Sequence, residues 1–303
     1  MTASLENVGL VVATFRRRMN IRLAGDERVS ARVKGRLLRP VCGDRVNVEP
    51  IGGDNDWLIT GILERRNELT RPNSRGDVEI LAANVTFLVA VVADPPKPDW
   101  FIVDRYLCAA ELMGVGAAVV YNKSDLSGDS EAVETILDDY RRIGYAAIQT
   151  SAITGHNIAA LETLLSGEIA IIVGQSGVGK SSIINYLTDG TRQRVAAVST
   201  GSGEGRHTTV NSVMLDLPGS GSVIDSPGVR DYAPAIDTSD QVASGFREIV
   251  RLQQDCKFAN CRHLREPHCA VKSAVESGLV SARRYECYKR LVRSTEKIAK
   301  KYS

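Results

Sequence analysis

Residues 168–188 read EIAIIVGQSGVGKSSIINYLT, and this stretch decides the fold. The run 169–173 is apolar and rich in β-branched residues, which predicts a buried strand. A glycine-rich loop follows at 174–181, and the pattern from 182 to 187 predicts a helix. The motif G-x-x-x-x-G-K-S between a strand and a helix predicts a phosphate-binding loop.

The residue types of this loop suit a nucleoside triphosphate. Its glycines let successive backbone N–H groups point at phosphate oxygens, and the following helix adds its positive dipole end. Lys180 is expected to reach the β- and γ-phosphates and to act in catalysis, while the Ser181 hydroxyl is expected to bind Mg²⁺. The residues of this segment expected to contact the nucleotide are Gly174, Gln175, Ser176, Gly177, Val178, Gly179, Lys180, Ser181 and Ser182.

Strands and helices alternate before this loop, which predicts a parallel sheet covered by helices. The expected strands are 85–92, 117–121 and 146–149, and the expected helices are 100–113, 131–143 and 157–165.

The strand at 117–121 runs into a second motif, Asn122-Lys123-Ser124-Asp125. The Asp125 carboxylate can accept from the ring N–H and the exocyclic amine of guanine, whereas adenine offers no such pair of donors. The strand at 146–149 leads to Ser151 and Ala152, which are expected to contact the base. Because open α/β sheets bind ligands beyond the carboxyl ends of their strands, these segments predict a guanine nucleotide site.

The order of the two motifs is unusual, because in most GTPases the phosphate loop precedes the guanine motif. Here the helix at 157–165 is followed by Gly167 and leads at once into the phosphate-loop strand. The termini of a domain often lie close together, so joining them and cutting the chain elsewhere is tolerated. The sequence therefore describes a circularly permuted GTPase domain.

Segments after the phosphate loop are expected to complete the site. The polar stretch 189–211 is long for a loop and contains two candidate Mg²⁺ ligands, Thr208 and Thr209, of which Thr209 is favoured. A later strand ends at Asp225, which is expected to hold Mg²⁺ through water. The Gly228 N–H is expected to sense the γ-phosphate.

The sequence leaves several alternatives for the group that positions the attacking water. Val229 stands where many GTPases place a glutamine, and a valine side chain cannot orient water. We hypothesise that His207 does so, although a solvated loop histidine, a group from a partner, or no efficient catalyst are alternatives. Unchanged single-turnover hydrolysis by His207→Ala would rule this role out. Slow turnover that a partner accelerates is expected in either case.

The composition is that of a globular protein of two or three domains, with 43% hydrophobic and 24% charged residues in a chain of 303. No apolar run is long enough for a membrane-spanning helix, and residues 1–10 do not resemble an export signal. A cytoplasmic location is therefore expected.

Short apolar runs separated by turn residues fill the first 62 positions. The expected strands, 10–13, 20–23, 29–33, 45–48 and 57–62, predict an OB-type β-barrel. Residues 67–79 are interpreted as a linker. The residues expected to be exposed on the barrel and to form a basic face are Arg16, Arg17, Arg18, Arg22, Arg32, Lys34 and Arg36.

Positive charge concentrates at the two ends. Residues 1–75 carry 14 Lys and Arg against 9 Asp and Glu, and residues 283–303 carry 8 against 2, while the middle is acidic. A helix predicted at 282–302 carries basic residues with interleaved tyrosines, so we expect it to contact RNA, with a solvated helix as the alternative. Its basic residues are Arg283, Arg284, Lys289, Arg290, Arg293, Lys297, Lys300 and Lys301.

Cys256, Cys261, His263 and Cys269 lie within 14 residues and predict one structural Zn²⁺ site. His268 is the alternative histidine, but two adjacent residues are hard to aim at one ion. The remaining cysteines are expected to be ordinary thiols.

The order of motifs resembles the ribosome small-subunit-dependent GTPase A family of bacterial ribosome biogenesis factors. The resemblance covers nearly the whole chain and includes Ala83-Asn84 and Asp104-Arg105-Tyr106-Leu107. It implies an OB-fold, a permuted GTPase domain and a C-terminal α-helical zinc domain, which we place at 1–72, 73–235 and 236–303. It also implies hydrolysis of GTP to GDP and phosphate stimulated by the 30S subunit, contact with 16S rRNA, and action late in 30S maturation. We expect a monomer. The competing interpretation is an RNA-binding module whose turnover is incidental.

Overall fold

The computed structural model describes residues 8–15, 18–35, 37–52, 56–72, 78–126, 130–188, 210–226, 236 and 238–302. The chain divides into two compact units. The first comprises Met1–Phe87, Gly155–Ile172 and Lys180–Tyr232, and the second comprises Leu88–Thr154, Val173–Gly179 and Ala233–Ser303. Each unit is therefore built from three separate pieces of the chain.

The strands in chain order are β1 (Val8–Phe15), β2 (Met19–Arg22), β3 (Arg28–Val33), β4 (Arg45–Pro50), β5 (Asp56–Ile62), β6 (Glu68–Pro72), β7 (Val78–Ala83), β8 (Phe87–Ala93), β9 (Gly116–Asn122), β10 (Ala146–Gln149), β11 (Ile169–Gly174), β12 (Val210–Asp216) and β13 (Ser222–Asp225). The helices are α1 (Trp100–Met113), α2 (Ser130–Arg142), α3 (Ile158–Leu165), α4 (Lys180–Leu187), α5 (Ser239–Ser244), α6 (Arg247–Leu252), α7 (Ala270–Glu276) and α8 (Ala282–Tyr302).

The first unit contains the predicted barrel. Its strands follow the order β1-β2-β3-β5-β4, and β4 pairs with the start of β1 to close the circle. Strands β3 and β5 are parallel, whereas the other pairs are antiparallel. Apolar side chains alternate inward along these strands, and Val11, Ile21, Val46 and Ile59 are fully buried.

The interpretation of residues 67–79 as a linker is wrong over much of this stretch. Strands β6 and β7 form an antiparallel hairpin, in which Leu69 is fully buried. Asn67 and Asn84 brace it, because their side-chain amides donate to the carbonyls of Val85 and Gly43. Polar, turn-forming composition concealed a short strand whose apolar residues are few but buried.

The barrel extends into a sheet within the same unit. The end of β1 pairs antiparallel with β12, β12 pairs with β13, and β13 lies parallel to β11. Asp216 on β12 accepts from Arg22 at 2.8 Å and from Arg28 at 2.6 Å. The strand that follows the long polar stretch is therefore tied to the barrel.

The predicted basic face of the barrel is partly paired with carboxylates. Arg18 and Arg32 are exposed and share the single carboxylate of Asp56, and Arg22 shares Asp216 with Arg28, so each pair of arginines keeps a net positive charge. They neighbour carboxylates that lie far away in sequence. Among the residues that the structure describes, the exposed barrel cations that make no ion pair are Lys34, Arg39 and Arg45. Arg16, Arg17 and Arg36 lie outside the described residues.

The second unit contains β10-β9-β8, with β9 and β10 parallel, together with the helices outside the first unit. Helix α1 begins and ends where the sequence predicts. The Asp99 carboxylate caps its first turn, and Gly114 adopts the left-handed conformation that ends it. A cluster that includes Cys108 of α1, Phe246, Tyr288 and Leu291 forms the core between α1 and the C-terminal helices.

Buried ion pairs in this unit show that the expectation of RNA contact is wrong for Arg284 of α8. Arg284 is 1% exposed, and it donates to Asp104 of α1 and to both carboxylate oxygens of Glu248. Arg283 donates to the other Asp104 oxygen. Arg284 is therefore not available to RNA, because its charge is already paired inside the protein.

No helix in the described part of the chain is both long enough and apolar enough to cross a membrane.

Candidate functional site

The phosphate loop leaves β11 at Gly174 and returns to helix at Lys180, which begins α4. A Cβ atom at Gly174 would lie 2.2 Å from the Val91 carbonyl oxygen, so no larger residue fits there. At Gly179 φ is +94°, and a Cβ atom would lie 2.3 Å from the Asn122 side chain. These close approaches explain two of the three glycines of the motif.

Asn122 joins the guanine motif to the phosphate loop. It is fully buried, and its side-chain amide donates to the Val178 carbonyl at 2.9 Å. Its side-chain oxygen accepts from the Ala152 N–H at 3.1 Å and from the Thr150 hydroxyl at 3.3 Å. One side chain thus holds together the three segments that the sequence assigned to one site.

The rest of the guanine motif divides into fixed and accessible residues. Lys123 donates to the Pro95 carbonyl at 2.7 Å, and the Ser124 N–H donates to the Thr150 carbonyl. Asp125 is exposed, so its carboxylate is open to a ligand. This arrangement presents an exposed acceptor beside a buried scaffold.

Ser151 and Ala152, the two residues after β10 that are expected to contact the base, both form hydrogen bonds within the protein. Ser151 is buried, and its hydroxyl accepts from the Thr154 N–H at 3.2 Å. The Ala152 N–H is occupied by Asn122, so this group is used to shape the site.

The expected Mg²⁺ residues are described only in part. Lys180 is buried, and Ser181 and Ser182 follow it in the first turn of α4. Asp225 ends β13, the strand parallel to β11, so it lies at the carboxyl edge of that sheet. Thr208, Thr209, His207, Gly228 and Val229 lie outside the described residues.

The four predicted metal ligands converge. The ligand atoms of Cys256, Cys261, His263 and Cys269 all lie within 4.8 Å of one another. His263 Nδ1 is 3.5 Å from Cys256 Sγ and 3.4 Å from Cys269 Sγ, and the two sulfurs are 3.9 Å apart. Tetrahedral bonds of about 2.3 Å to sulfur and about 2.1 Å to nitrogen require very similar separations. His268 is not part of this cluster.

The electrostatics of this cluster favour a cation. Burial raises the pKa of the Cys261 thiol to about 12 and raises that of Cys269, so clustered thiolates need a positive partner. Burial also lowers the pKa of His263, which keeps the imidazole neutral and able to coordinate. The residues present therefore fit a metal ion bound by three thiolates and one imidazole.

Glu266 organises the loop between the ligands. Its carboxylate accepts from the N–H groups of Arg262, Leu264 and Arg265. Although burial opposes the charge, these bonds hold the pKa of Glu266 at about 2. The Tyr285 hydroxyl of α8 donates to the His263 carbonyl at 2.6 Å and fixes the same loop from the other side.

The loop between β8 and α1 contacts both nucleotide motifs, and the sequence does not predict these contacts. The Pro95 carbonyl accepts a hydrogen bond from the Lys123 ammonium, and the Asp99 N–H donates to the side-chain oxygen of Gln175 in the phosphate loop. The only signal in the sequence was the proline-rich run DPPKPD directly after a buried strand, which marks a rigid loop without indicating what it contacts.

The sequence of this chain matches a known protein family. The RsgA GTPase family model matches residues 62–234. Proteins named "Small ribosomal subunit biogenesis GTPase RsgA" from Ectopseudomonas mendocina and Azotobacter vinelandii are each 38% identical over 296 residues. The aligned region covers 95% of this chain and 86% of each relative.

Two solved structures share the fold. YjeQ from Thermotoga maritima has a TM-score of 0.77 and 29% identity, covering 95% of this chain and 98% of its own. YloQ, described as a circularly permuted GTPase, has a TM-score of 0.77 and 24% identity, covering 96% of this chain and 95% of its own. These matches and the Cys3His cluster confirm the predicted fold class: an OB-type barrel, a permuted P-loop GTPase domain and a helical metal-binding region.

Proposed function

Because the chain belongs to the RsgA GTPase family, we propose that it hydrolyses GTP in the biogenesis of the small ribosomal subunit. The observation that carries this proposal is the contact of Asn122 with both the phosphate loop and the segment after β10. This contact supports a site in which the Asp125 carboxylate reads guanine and the neighbouring loop binds the phosphates. The reaction is expected to be stimulated by the 30S subunit and to act late in its maturation.

We assign the nucleotide contacts to the residues named from the sequence. The base is read by Asp125 and enclosed by its neighbours in the motif and after β10. Lys180 and the N–H groups of the loop bind the phosphates, and Mg²⁺ is held by Ser181, Thr209 and Asp225. His207 positions the attacking water and Gly228 senses the γ-phosphate. The accessible position of Asp125 and the start of α4 at Lys180 support these roles.

We further propose that the Cys3His cluster binds one Zn²⁺ as a structural ion. Four protein ligands leave no open coordination position, which is typical of structural sites. Zinc supplies the positive charge that the thiolates require, and the ligands hold the loops on either side of His263 in place.

Metal analysis of ligand variants tests this assignment. His263→Ala is expected to lose bound zinc and to weaken zinc affinity at least about 100-fold, because a structural site depends on all four ligands. His268→Ala is the matched control, since this histidine neighbours Cys269 but lies outside the cluster. Equal zinc content in both variants, measured by mass spectrometry of the native protein, would refute the ligand set.

The proposed partners are the 30S subunit and its 16S rRNA. The basic residues that support RNA contact are the exposed cations of the barrel and the exposed side of α8, which includes Arg290 and Arg293. We also propose a monomer, a cytoplasmic location, and domain boundaries at 1–72, 73–235 and 236–303. GTP hydrolysis measured with and without purified 30S subunits, with ATP as the control, tests the function as a whole.

A further inference from the structure

The residue that caps the start of helix α1 is hydrogen-bonded to the phosphate loop. The Asp99 N–H donates to the Gln175 side-chain oxygen at 3.1 Å. The Asp99 carboxylate in turn accepts from the N–H groups of Phe101 and Ile102, at 3.0 and 3.4 Å. One residue therefore holds both the first turn of α1 and the second residue of the phosphate loop.

The middle of α1 is fixed by the buried ionic contacts. Asp104 is fully buried and accepts from Arg284 at 2.6 Å, from Tyr140 at 2.8 Å and from Arg283 at 3.0 Å. Arg284 also binds Glu248 of α6 through two hydrogen bonds. Buried charges with several partners have few alternative arrangements, so α1 and α8 are expected to move together.

Helix α8 also contacts the metal-binding loop and the first turn of α1. The hydroxyls of Tyr285 and Tyr288 donate to the carbonyls of His263 and Arg262, at 2.6 and 2.8 Å. The Arg290 guanidinium lies 3.8 Å from the centre of the Phe101 ring. A continuous series of contacts thus runs from the Cys3His cluster through α8 and α1 to Gln175, inside one compact unit.

We propose that Gln175 is a positioning residue that ties the phosphate loop to the start of α1, and that α1 and α8 connect the metal-binding segment to nucleotide affinity through it. The proposal rests on the nucleotide site assigned above and adds a route by which RNA bound to that segment alters this site. The connection is a coupling between two sites, so it acts equally in both directions.

Such a connection suits a loop whose function depends on the direction of its N–H groups. The Gln175 side chain is half-buried, and its hydrogen bond to Asp99 fixes the second residue of the loop, before the glycine-rich turn. A small displacement of α1 then changes the alignment of several N–H groups with the phosphates. Hydrogen bonds to charged groups are sensitive to such misalignment.

A double-mutant cycle on GDP affinity tests this connection. The variants are Gln175→Met, which keeps the length of the side chain but removes its carbonyl acceptor, Arg290→Ala, and the two combined. Glu286→Gln is the control, because Glu286 is exposed on α8 and its ion pair is with Lys289 of the same helix. GDP affinity is measured by calorimetry on the zinc-loaded full chain without ribosomes.

If this connection exists, the effects of the two substitutions on GDP affinity do not add. Arg290→Ala should weaken GDP binding about threefold in the wild-type background, as expected for loss of a partly exposed cation–π contact. The same substitution should have almost no effect in the Gln175→Met background, and Glu286→Gln should have none in either. Equal effects of Arg290→Ala in both backgrounds, or no effect in the wild type, would overturn the connection. A wild-type chain that binds no GDP would instead overturn the nucleotide site itself.

Discussion

An Asp125→Asn variant is expected to bind GTP about 100- to 1,000-fold more weakly than the wild type and to gain binding of xanthosine triphosphate. The Asp125 carboxylate is exposed and available to accept two hydrogen bonds from guanine. Each hydrogen bond to a charged group contributes about 1.5–3 kcal/mol, and an amide N–H in its place faces a donor of the base. Xanthine carries a carbonyl where guanine carries the amine, so the new amide finds an acceptor there.

Titration of both nucleotides into both proteins measures this switch. Asp138→Asn is the control, because Asp138 is an exposed acid on α2 that pairs with Arg141, outside the guanine motif. It should leave the preference for GTP unchanged. If Asp125→Asn binds GTP as the wild type does, the assignment of this carboxylate to the base is wrong.

An Arg284→Met variant is expected to lose about 3–5 kcal/mol of unfolding free energy, because it leaves the buried Glu248 carboxylate without its cation and Asp104 with only Arg283. Asp104 is 0% exposed and Glu248 is 6% exposed, so water cannot replace the lost partner. Tyr140 still donates to Asp104, and burial together with the Asp104 charge keeps the pKa of this tyrosine well above its ordinary value. Arg283 also still donates to Asp104, so the main cost of the substitution falls on Glu248, which loses both of its hydrogen bonds from Arg284.

Urea unfolding followed by tryptophan fluorescence measures this loss. The chain contains Trp57 in the barrel and Trp100 at the start of α1, so a Trp57→Phe background leaves a reporter in the second unit. Glu296→Gln is the control, because its exposed pairing with Arg262 is expected to contribute less than about 1 kcal/mol. Similar losses in the two variants would show that Arg284 does not act as a buried anchor.

Local patterns predicted the parts of the fold that depend on neighbouring residues. Short apolar runs separated by turn residues predicted the barrel strands, and the helical periodicity of 100–113 predicted both ends of α1. The phosphate and guanine motifs were recognised because their chemistry lies within a few consecutive residues. The metal ligands lie within 14 positions, so their convergence was also local.

Contacts between distant residues were not predictable in the same way. Arg284 is separated from Asp104 by 180 positions, and Arg22 from Asp216 by 194. Both arginines looked like surface cations, because nothing in a single sequence indicates which carboxylate a cation meets in the fold. The burial of Leu69 within a polar segment escaped prediction for the same reason.

The initial rate of GTP hydrolysis, measured with purified 30S subunits, with 50S subunits and alone, shows whether this protein is a guanine-specific GTPase that acts with the small ribosomal subunit. Stimulation of at least about tenfold by 30S subunits only, with no ATP hydrolysis, is the predicted result, since partners that complete a GTPase site raise its rate by large factors. Hydrolysis that 30S subunits leave unchanged, in a chain that binds GTP, would contradict the claim.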